Sequence, residues 1–142
     1  MAEHIRTVSA LLVTPEGRLV AQLRDDKPEI AFPNTWSTLG GGIEPGESPA
    51  EAMRRELIEE IEFCPEMTFW RIFTLEFAAL DTEFQVEVHT FLGRLDRPLA
   101  QVNLHEGQRL AAFSHDELDG VVFAFGLDRL FRAFFETYGN AL

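Results

Sequence analysis

The segment from residue 40 to residue 60 constrains the fold more than any other part of this sequence. Three successive glycines, at 40–42, come shortly before Ser48-Pro49-Ala50-Glu51, which is a strong signal for the start of a helix. The serine can cap the helix, the proline suits its first position, and the glutamate completes a capping box. The helix has to end by Cys64, because the residue before Pro65 disfavours helical geometry. The sequence therefore predicts a glycine-rich turn that opens directly into a helix.

The predicted helix has two different faces. Three apolar residues at helical spacing form a face that packs inward: Met53, Leu57 and Ile61. Three carboxylates come together on another face: Glu56, Glu59 and Glu60. Like charges at this spacing destabilise a helix by about 0.2–0.5 kcal/mol per pair. The carboxylates are therefore either a solvated acidic surface or a site for a divalent cation such as Mg²⁺, which prefers oxygen ligands.

The residues around these glutamates favour the second interpretation. Their pattern is G-x5-E-x7-R-E-U-x-E-E-x-G-U, where U is a bulky apolar residue. The positions that fit it are Gly41, Glu47, Arg55, Glu56, Leu57, Glu59, Glu60 and Phe63. This pattern is the Nudix box, and over residues 41–63 the sequence resembles the Nudix hydrolase family. Glu62 stands where the family has glycine, so we expect the helix to run one residue further or to end differently before Pro65.

The resemblance implies an enzyme that uses Mg²⁺, or Mn²⁺, to hydrolyse a diphosphate linkage in a small nucleotide, nucleoside triphosphates included. The metal ligands that it implies are Glu56, Glu59 and Glu60, together with the Gly40 carbonyl. It also implies that Glu47 supports the site and that Arg55 orients the glutamates by charge-assisted hydrogen bonds.

The catalytic base has two candidates. Glu59 lies within the box, and Glu106 lies in the polar loop around His105-Glu106-Gly107-Gln108. The second resembles the loop glutamate of MutT-like nucleotide pyrophosphohydrolases, although an ordinary exposed acid is the alternative for it. Arg24, at the exit of the second predicted strand, is either a phosphate contact or a plain surface arginine.

The order of elements predicts an α/β fold with a mixed sheet and helices on its faces, compatible with the α/β/α sandwich of the Nudix family. The predicted strands are 7–13, 19–23, 36–39, 67–78, a segment from residue 84 that ends before Asp96, and 109–113. A final amphipathic helix carries an aromatic face formed by Leu127, Leu130, Phe131, Phe134, Phe135 and Tyr138. That face is expected to pack on the sheet, with a homodimer contact as the less favoured option.

Length and charge limit the remaining possibilities. A chain of 142 residues suits one domain, which we place at 1–142. Its formal charge of −12 repels the phosphate backbone of nucleic-acid polymers but is compatible with small phosphorylated ligands when a cation is bound. The first residues, 1–6, lack the apolar core of a signal peptide, and no apolar run is long enough to span a membrane. We therefore expect a cytoplasmic protein.

Two other functions stay open at this point. One is a non-catalytic Nudix-like module that binds a nucleotide or a protein, an alternative supported by Glu62 and by the undecided base. The other is a diphosphate isomerase of the isopentenyl type, which ranks last because no cysteine stands in a suitable motif. The sequence does not indicate which nucleotide is the substrate.

Overall fold

The computed structural model describes residues 2–139, and within that part of the chain seven strands form one mixed sheet with a helix on each face. The strands are β1 (Glu3–Val13), β2 (Leu19–Leu23), β3 (Trp36–Ser37), β4 (Leu39–Gly42), β5 (Met67–Ala79), β6 (Thr82–Arg94) and β7 (Arg109–Phe113). The helices are α1 (Pro49–Ile61) and α2 (Asp128–Tyr138), and two short 3-10 turns lie at Leu99–Gln101 and His115–Gly120. The predicted α/β class with a mixed sheet is confirmed.

Strand β1 is the centre of the sheet because it has partners along both edges. One edge pairs in parallel with β6, and the other pairs antiparallel with β4 and β2. Its side chains alternate between two hydrophobic cores, with Val8, Ala10 and Leu12 facing α1 and with Leu11 and Val13 facing α2. The two helices therefore cover opposite faces of the same strand.

Helix α1 begins as the sequence predicts. The Ser48 hydroxyl accepts a hydrogen bond from the Glu51 N–H at 3.1 Å, and the Glu51 carboxylate accepts one from the Ser48 N–H at 2.8 Å. These two bonds are the complete capping box. The inward face is also confirmed, since Met53, Leu57 and Ile61 are each at most 1% exposed.

The glycines do not form the predicted turn. Residues 39–42 are strand β4, which pairs antiparallel with residues 7–10 of β1. At Gly40, with a φ of 142°, a Cβ would overlap the Val8 carbonyl oxygen. Glycine is therefore required here for close strand pairing. The chain reverses later, where the Glu47 N–H donates to the Glu44 carbonyl at 3.0 Å, immediately before α1.

Several strand boundaries also differ from the prediction. Strand β1 begins at Glu3 instead of residue 7, because its polar first residues pair with β6. The predicted strand 36–39 is divided between β3 and β4. Strands β5 and β6 are joined by Leu80 and Asp81, whose φ values of 51° and 63° are those of a tight hairpin turn.

No helix in residues 2–139 has the length and apolar character needed to cross a membrane.

Helix α2 buries most of its predicted aromatic face in the core, but Tyr138 at its end is 37% exposed. Phe131 is 0% exposed, and its ring centroid lies 4.9 Å from that of Phe123. We expect Phe131→Ala to lower the free energy of unfolding by about 3–5 kcal/mol, since it removes buried area and leaves a cavity. Urea denaturation measures this loss.

The matched control is Phe69→Ala on β5, where the side chain is half exposed. Its expected loss is about 1 kcal/mol or less. Equal losses for the two variants would contradict the assignment of Phe131 to the core.

Candidate active site

A cavity of about 290 Å³ lies beside strand β4. Four residues give it a polar end: Gly40, Gly41, Glu60 and Glu106. Apolar side chains line much of the rest of its wall: Ile5, Val8, Leu75, Phe77, Val86, Val88, Phe125 and Leu127. Arg24 and Gln22 line it as well. A cavity with both characters can hold a ligand that has a charged part and an apolar part.

Glu60 is the most deeply buried carboxyl group of this site. The residue is only 1% exposed, and its Oε1 accepts a hydrogen bond from the Gly40 N–H at 2.9 Å. Burial raises the pKa of Glu60 to about 9, and the nearby carboxylates of Glu106 and Glu56 add to the effect. The fold therefore places Glu60 where its ionised form would be repelled by Glu106 and Glu56.

Glu56 lies directly over the glycine strand. A Cβ added at Gly41 would come within 2.8 Å of each atom of the Glu56 carboxylate group. Only glycine leaves room at this position for that carboxylate. Burial raises the pKa of Glu56, and the hydrogen bond from Arg55 opposes this shift.

Arg55 connects the helix to the segment before it. Its Nε and Nη2 donate to the two carboxylate oxygens of Glu47 at 2.7 and 2.9 Å, and Nη2 also donates to the Gly42 carbonyl at 3.0 Å. Its Nη1 donates to Glu56 Oε1 at 3.0 Å. The paired bond lowers the pKa of Glu47 to about 2 and raises the pKa of Arg55. Arg55 thus contacts two glutamates of the box, Glu47 and Glu56.

Glu59 differs from its two neighbours in the acidic cluster. Its side chain is 54% exposed, against 13% for Glu56, and lies 3.4 Å from Arg55 Nη1. Of the three glutamates, Glu60 alone lines the cavity. Within residues 2–139, no three His, Cys, Asp or Glu side chains are already arranged to hold a metal ion. Glu56, Glu59 and Glu60 therefore share one helix but are not assembled as a ligand set.

The loop that carries Glu106 is anchored on both sides of the site. The Glu106 carbonyl accepts a hydrogen bond from Gln22 Nε2 of β2 at 2.7 Å. The N–H of His105 donates to the Glu60 carbonyl of α1 at 2.8 Å. Because of these contacts Glu106, 46 residues from Glu60 in sequence (106 minus 60), lines the same cavity.

Sequence reasoning missed the residues that hold this loop against β2. The N–H of Gln108 donates to the Leu23 carbonyl at 2.8 Å. A Cβ at Gly107 would lie 2.7 Å from that same oxygen, and its φ is 79°. The sequence did contain one sign of this contact, because Gln22 is a polar residue in a strand whose other side chains are apolar. In the structure Gln22 is only 6% exposed.

Neither expected effect of Glu62 on the end of α1 is seen: the helix does not run past Ile61, and its ending is not altered. Glu62 takes the left-handed conformation, with a φ of 75°, and its N–H donates to the Ile58 carbonyl at 3.0 Å. Its carboxylate is hydrogen-bonded to Asn103 Nδ2 at 3.2 Å and to His105 Nε2 at 2.5 Å. These contacts lower the pKa of Glu62, the bond to His105 most of all. The helix therefore ends with the backbone geometry that glycine normally supplies.

Arg24 lines the cavity, but much of its guanidinium is already engaged. Its Nε and Nη2 donate to the Ala31 carbonyl at 3.1 and 2.8 Å. The group also lies 4.8 Å from the centre of the Phe125 ring. Burial lowers the pKa of Arg24. The side chain is thus held at the cavity wall in a fixed position.

The family model of the NUDIX domain matches residues 3–133. The chain belongs to the NUDIX domain family. The resemblance noted from the box is therefore confirmed.

A curated relative, the nucleoside triphosphatase NudI of Escherichia coli, is 42% identical over 57 residues. That match covers 39% of this chain and 39% of the relative, so the chain spans well under half of that relative's length.

Solved structures show the same NUDIX fold. The MutT protein of Methanosarcina mazei Go1 superimposes with a TM-score of 0.74 at 23% identity, covering 96% of this chain and 95% of that one. The E. coli dihydroneopterin triphosphate pyrophosphohydrolase also gives 0.74, at 14% identity, covering 96% and 99%. At these identities the likeness shows the fold alone, and it confirms the predicted architecture.

The burial of Glu60 in this NUDIX domain predicts a stabilising substitution. Glu60→Gln keeps an oxygen that can accept from the Gly40 N–H and removes a carboxyl group whose ionisation is opposed by burial and by Glu106 and Glu56. We expect it to raise the free energy of unfolding by about 1–3 kcal/mol in EDTA at about pH 8. Thermal unfolding measures the change.

The pH dependence of this effect has a definite sign. The pKa of Glu60 is higher in the folded protein than in the unfolded chain. Its contribution to the free energy of unfolding is therefore fully present below the unfolded-state pKa and is lost as pH rises towards 9. The advantage of Glu60→Gln is therefore expected to be larger at about pH 8 than at about pH 6. Glu59→Gln, at the exposed neighbour, is the control and should change little. A stabilisation by Glu59→Gln as large as that by Glu60→Gln would contradict this interpretation.

Proposed function

We propose that this NUDIX domain, taken as a single domain over residues 1–142, hydrolyses a diphosphate linkage in a small nucleotide such as a nucleoside triphosphate. The observation that carries the proposal is the two-sided cavity. Its acidic end joins Glu60 and Glu106, and its apolar wall includes Phe77 and Phe125. An aromatic base suits the apolar wall, and phosphates suit the acidic end once a cation is bound. The similarity to a nucleoside triphosphatase supports the same class of substrate.

The acidic end fits a hard divalent cation such as Mg²⁺ or Mn²⁺. The raised pKa of Glu60 comes from burial and from the carboxylates of Glu106 and Glu56, and a cation at this point would relieve the repulsion. The residues that we propose hold it are Glu56, Glu59, Glu60 and the Gly40 carbonyl. Glu59 would exchange its contact with Arg55 for this role. A bound Mg²⁺ would supply neutralisation of the phosphate charge and acidification of a water molecule.

The side chains around the proposed cation site would have separate roles in the hydrolysis. Water attacks one phosphorus atom and a new P–O bond forms. The bridging P–O bond breaks, so that the other phosphate leaves with the bridging oxygen and the electron pair, and a carboxylate takes one proton of the water. Glu59 and Glu106 are the two candidates for that base, and Glu106 has the advantage that it lines the cavity. Arg55 holds Glu56 and Glu47 in place by its hydrogen bonds. Arg24, fixed at the wall, is proposed to contact a phosphate.

A panel of nucleoside triphosphates, nucleotide sugars and dinucleotides, assayed with Mg²⁺ and Mn²⁺ for phosphate or nucleotide release, tests this function. We expect turnover by the wild type that EDTA abolishes. We expect Glu59→Gln and Glu106→Gln each to lower kcat, with the loss of the true base about 100-fold or more. Glu136→Gln, on the exposed side of α2, is the matched control.

Two outcomes would contradict the proposal: full activity in excess EDTA, or wild-type rates in both Glu59→Gln and Glu106→Gln. Calorimetric binding of a nucleotide without turnover would instead support the alternative, a non-catalytic binding module. The cytoplasmic location and the homodimer stay predictions from the sequence.

A further inference from the structure

The end of helix α1 carries a feature that the NUDIX box does not explain. Glu62 occupies a left-handed position, with a φ of 75°, which glutamate adopts less readily than glycine. Its side chain is half exposed, so its hydrogen bonds are weakened by solvent and add little net stability. A glutamate at this position therefore brings no evident gain in the stability of the fold.

What the Glu62 side chain does is join two distant segments. Its carboxylate bonds to Asn103 Nδ2 and to His105 Nε2, and we call these three side chains the Glu62 clamp. The partners lie 41 and 43 residues further along the chain, in the loop that carries Glu106. A glycine at position 62 would end the helix equally well but would have no side chain to make either bond.

The clamp completes the attachment of the loop to α1. Without it, the loop would be held to that helix through the hydrogen bond from the His105 N–H to the Glu60 carbonyl. On its other side, the loop is held to β2 through Gln22 and Gln108. With the clamp, the short segment around Glu106 is attached to α1 on one side and to β2 on the other, and Glu106 lines the same cavity as Glu60.

We propose that Glu62 is a positioning residue, which through Asn103 and His105 fixes Glu106 relative to Glu60. The proposal rests on the proposed function, because it assumes that Glu106 acts in hydrolysis. Glu62 itself is absent from the lining of the cavity, so it acts through the loop and not on the substrate.

The decisive variant is Glu62→Gly, which removes the clamp and at the same time suits the left-handed backbone. We expect its melting temperature to equal or exceed that of the wild type, whereas its kcat falls about 10-fold with little change in KM. Amide hydrogen exchange of residues 103–107 should become faster. A merely structural role would lower the melting temperature and leave kcat of the folded protein unchanged.

A conservative variant and a double-mutant cycle complete the design. Glu62→Gln keeps an oxygen for Asn103 and an amide for His105, so its kcat should stay within about 3-fold of the wild type. His105→Ala should lower kcat in the wild type but have no further effect in Glu62→Gly, because the bond is already lost. Glu136→Gln should change neither kcat nor exchange.

The two readouts separate this inference from the proposed function. No turnover by the wild type on the whole panel would overturn the proposed function, while hydrogen exchange would still decide whether Glu62 holds the loop. Turnover by the wild type, together with unchanged exchange in Glu62→Gly, would overturn the clamp alone. So would faster exchange with an unchanged kcat, or additive losses in the double-mutant cycle.

Discussion

The burial of the Glu60 carboxyl against the Gly40 N–H is the interaction on which the rest of the site depends. It requires α1 to lie directly on β4, and β4 can lie this close to α1 and to β1 only because Gly40 and Gly41 have no side chains. A side chain at Gly40 would overlap β1, and one at Gly41 would overlap the Glu56 carboxylate. The capping box and the inward face of α1 hold the helix at that depth. This arrangement places acidic groups close together, which lowers the stability of the fold. Proteins retain such local destabilisation at functional sites.

The sheet brings the other half of the site to this point. Strand β1 carries a hydrophobic core on each of its faces, so its position is fixed by packing from both sides. Strand β2 continues the sheet and receives the loop of Glu106 through the Gln22 side chain and the Leu23 carbonyl. The acidic end of the cavity is therefore shared by a helix and a loop that are far apart in sequence. The Glu62 clamp is a direct side-chain link between these two elements.

Local signals allowed the sequence to predict α1 well. A capping box and an apolar face at helical spacing involve residues within a few positions of one another, and both are present as expected. The glycines were misjudged because a glycine run is compatible with a turn and with a tightly paired strand. Only the approach of β1, more than 30 residues earlier in the chain, decides between them.

Long-range contacts also explain what else was not predicted. Glu59 and Glu60 are adjacent and chemically identical, yet one is exposed and the other buried, because only Glu60 faces β4. The conformation of Glu62 goes against its local preference, and its bonding partners lie in the Glu106 loop. The family and the acidic cluster could thus be recognised from the box. The anchoring roles of Gln22 and Gln108 depend on contacts more than 80 residues apart.

The proposal that this acidic cluster is a cation site is tested most directly by Mn²⁺ binding, followed by electron paramagnetic resonance. Saturable binding to the wild type is expected, with affinity lowered about 10-fold or more in Glu56→Gln and Glu60→Gln and unchanged in Glu136→Gln. Equal Mn²⁺ affinity in all four proteins would contradict it.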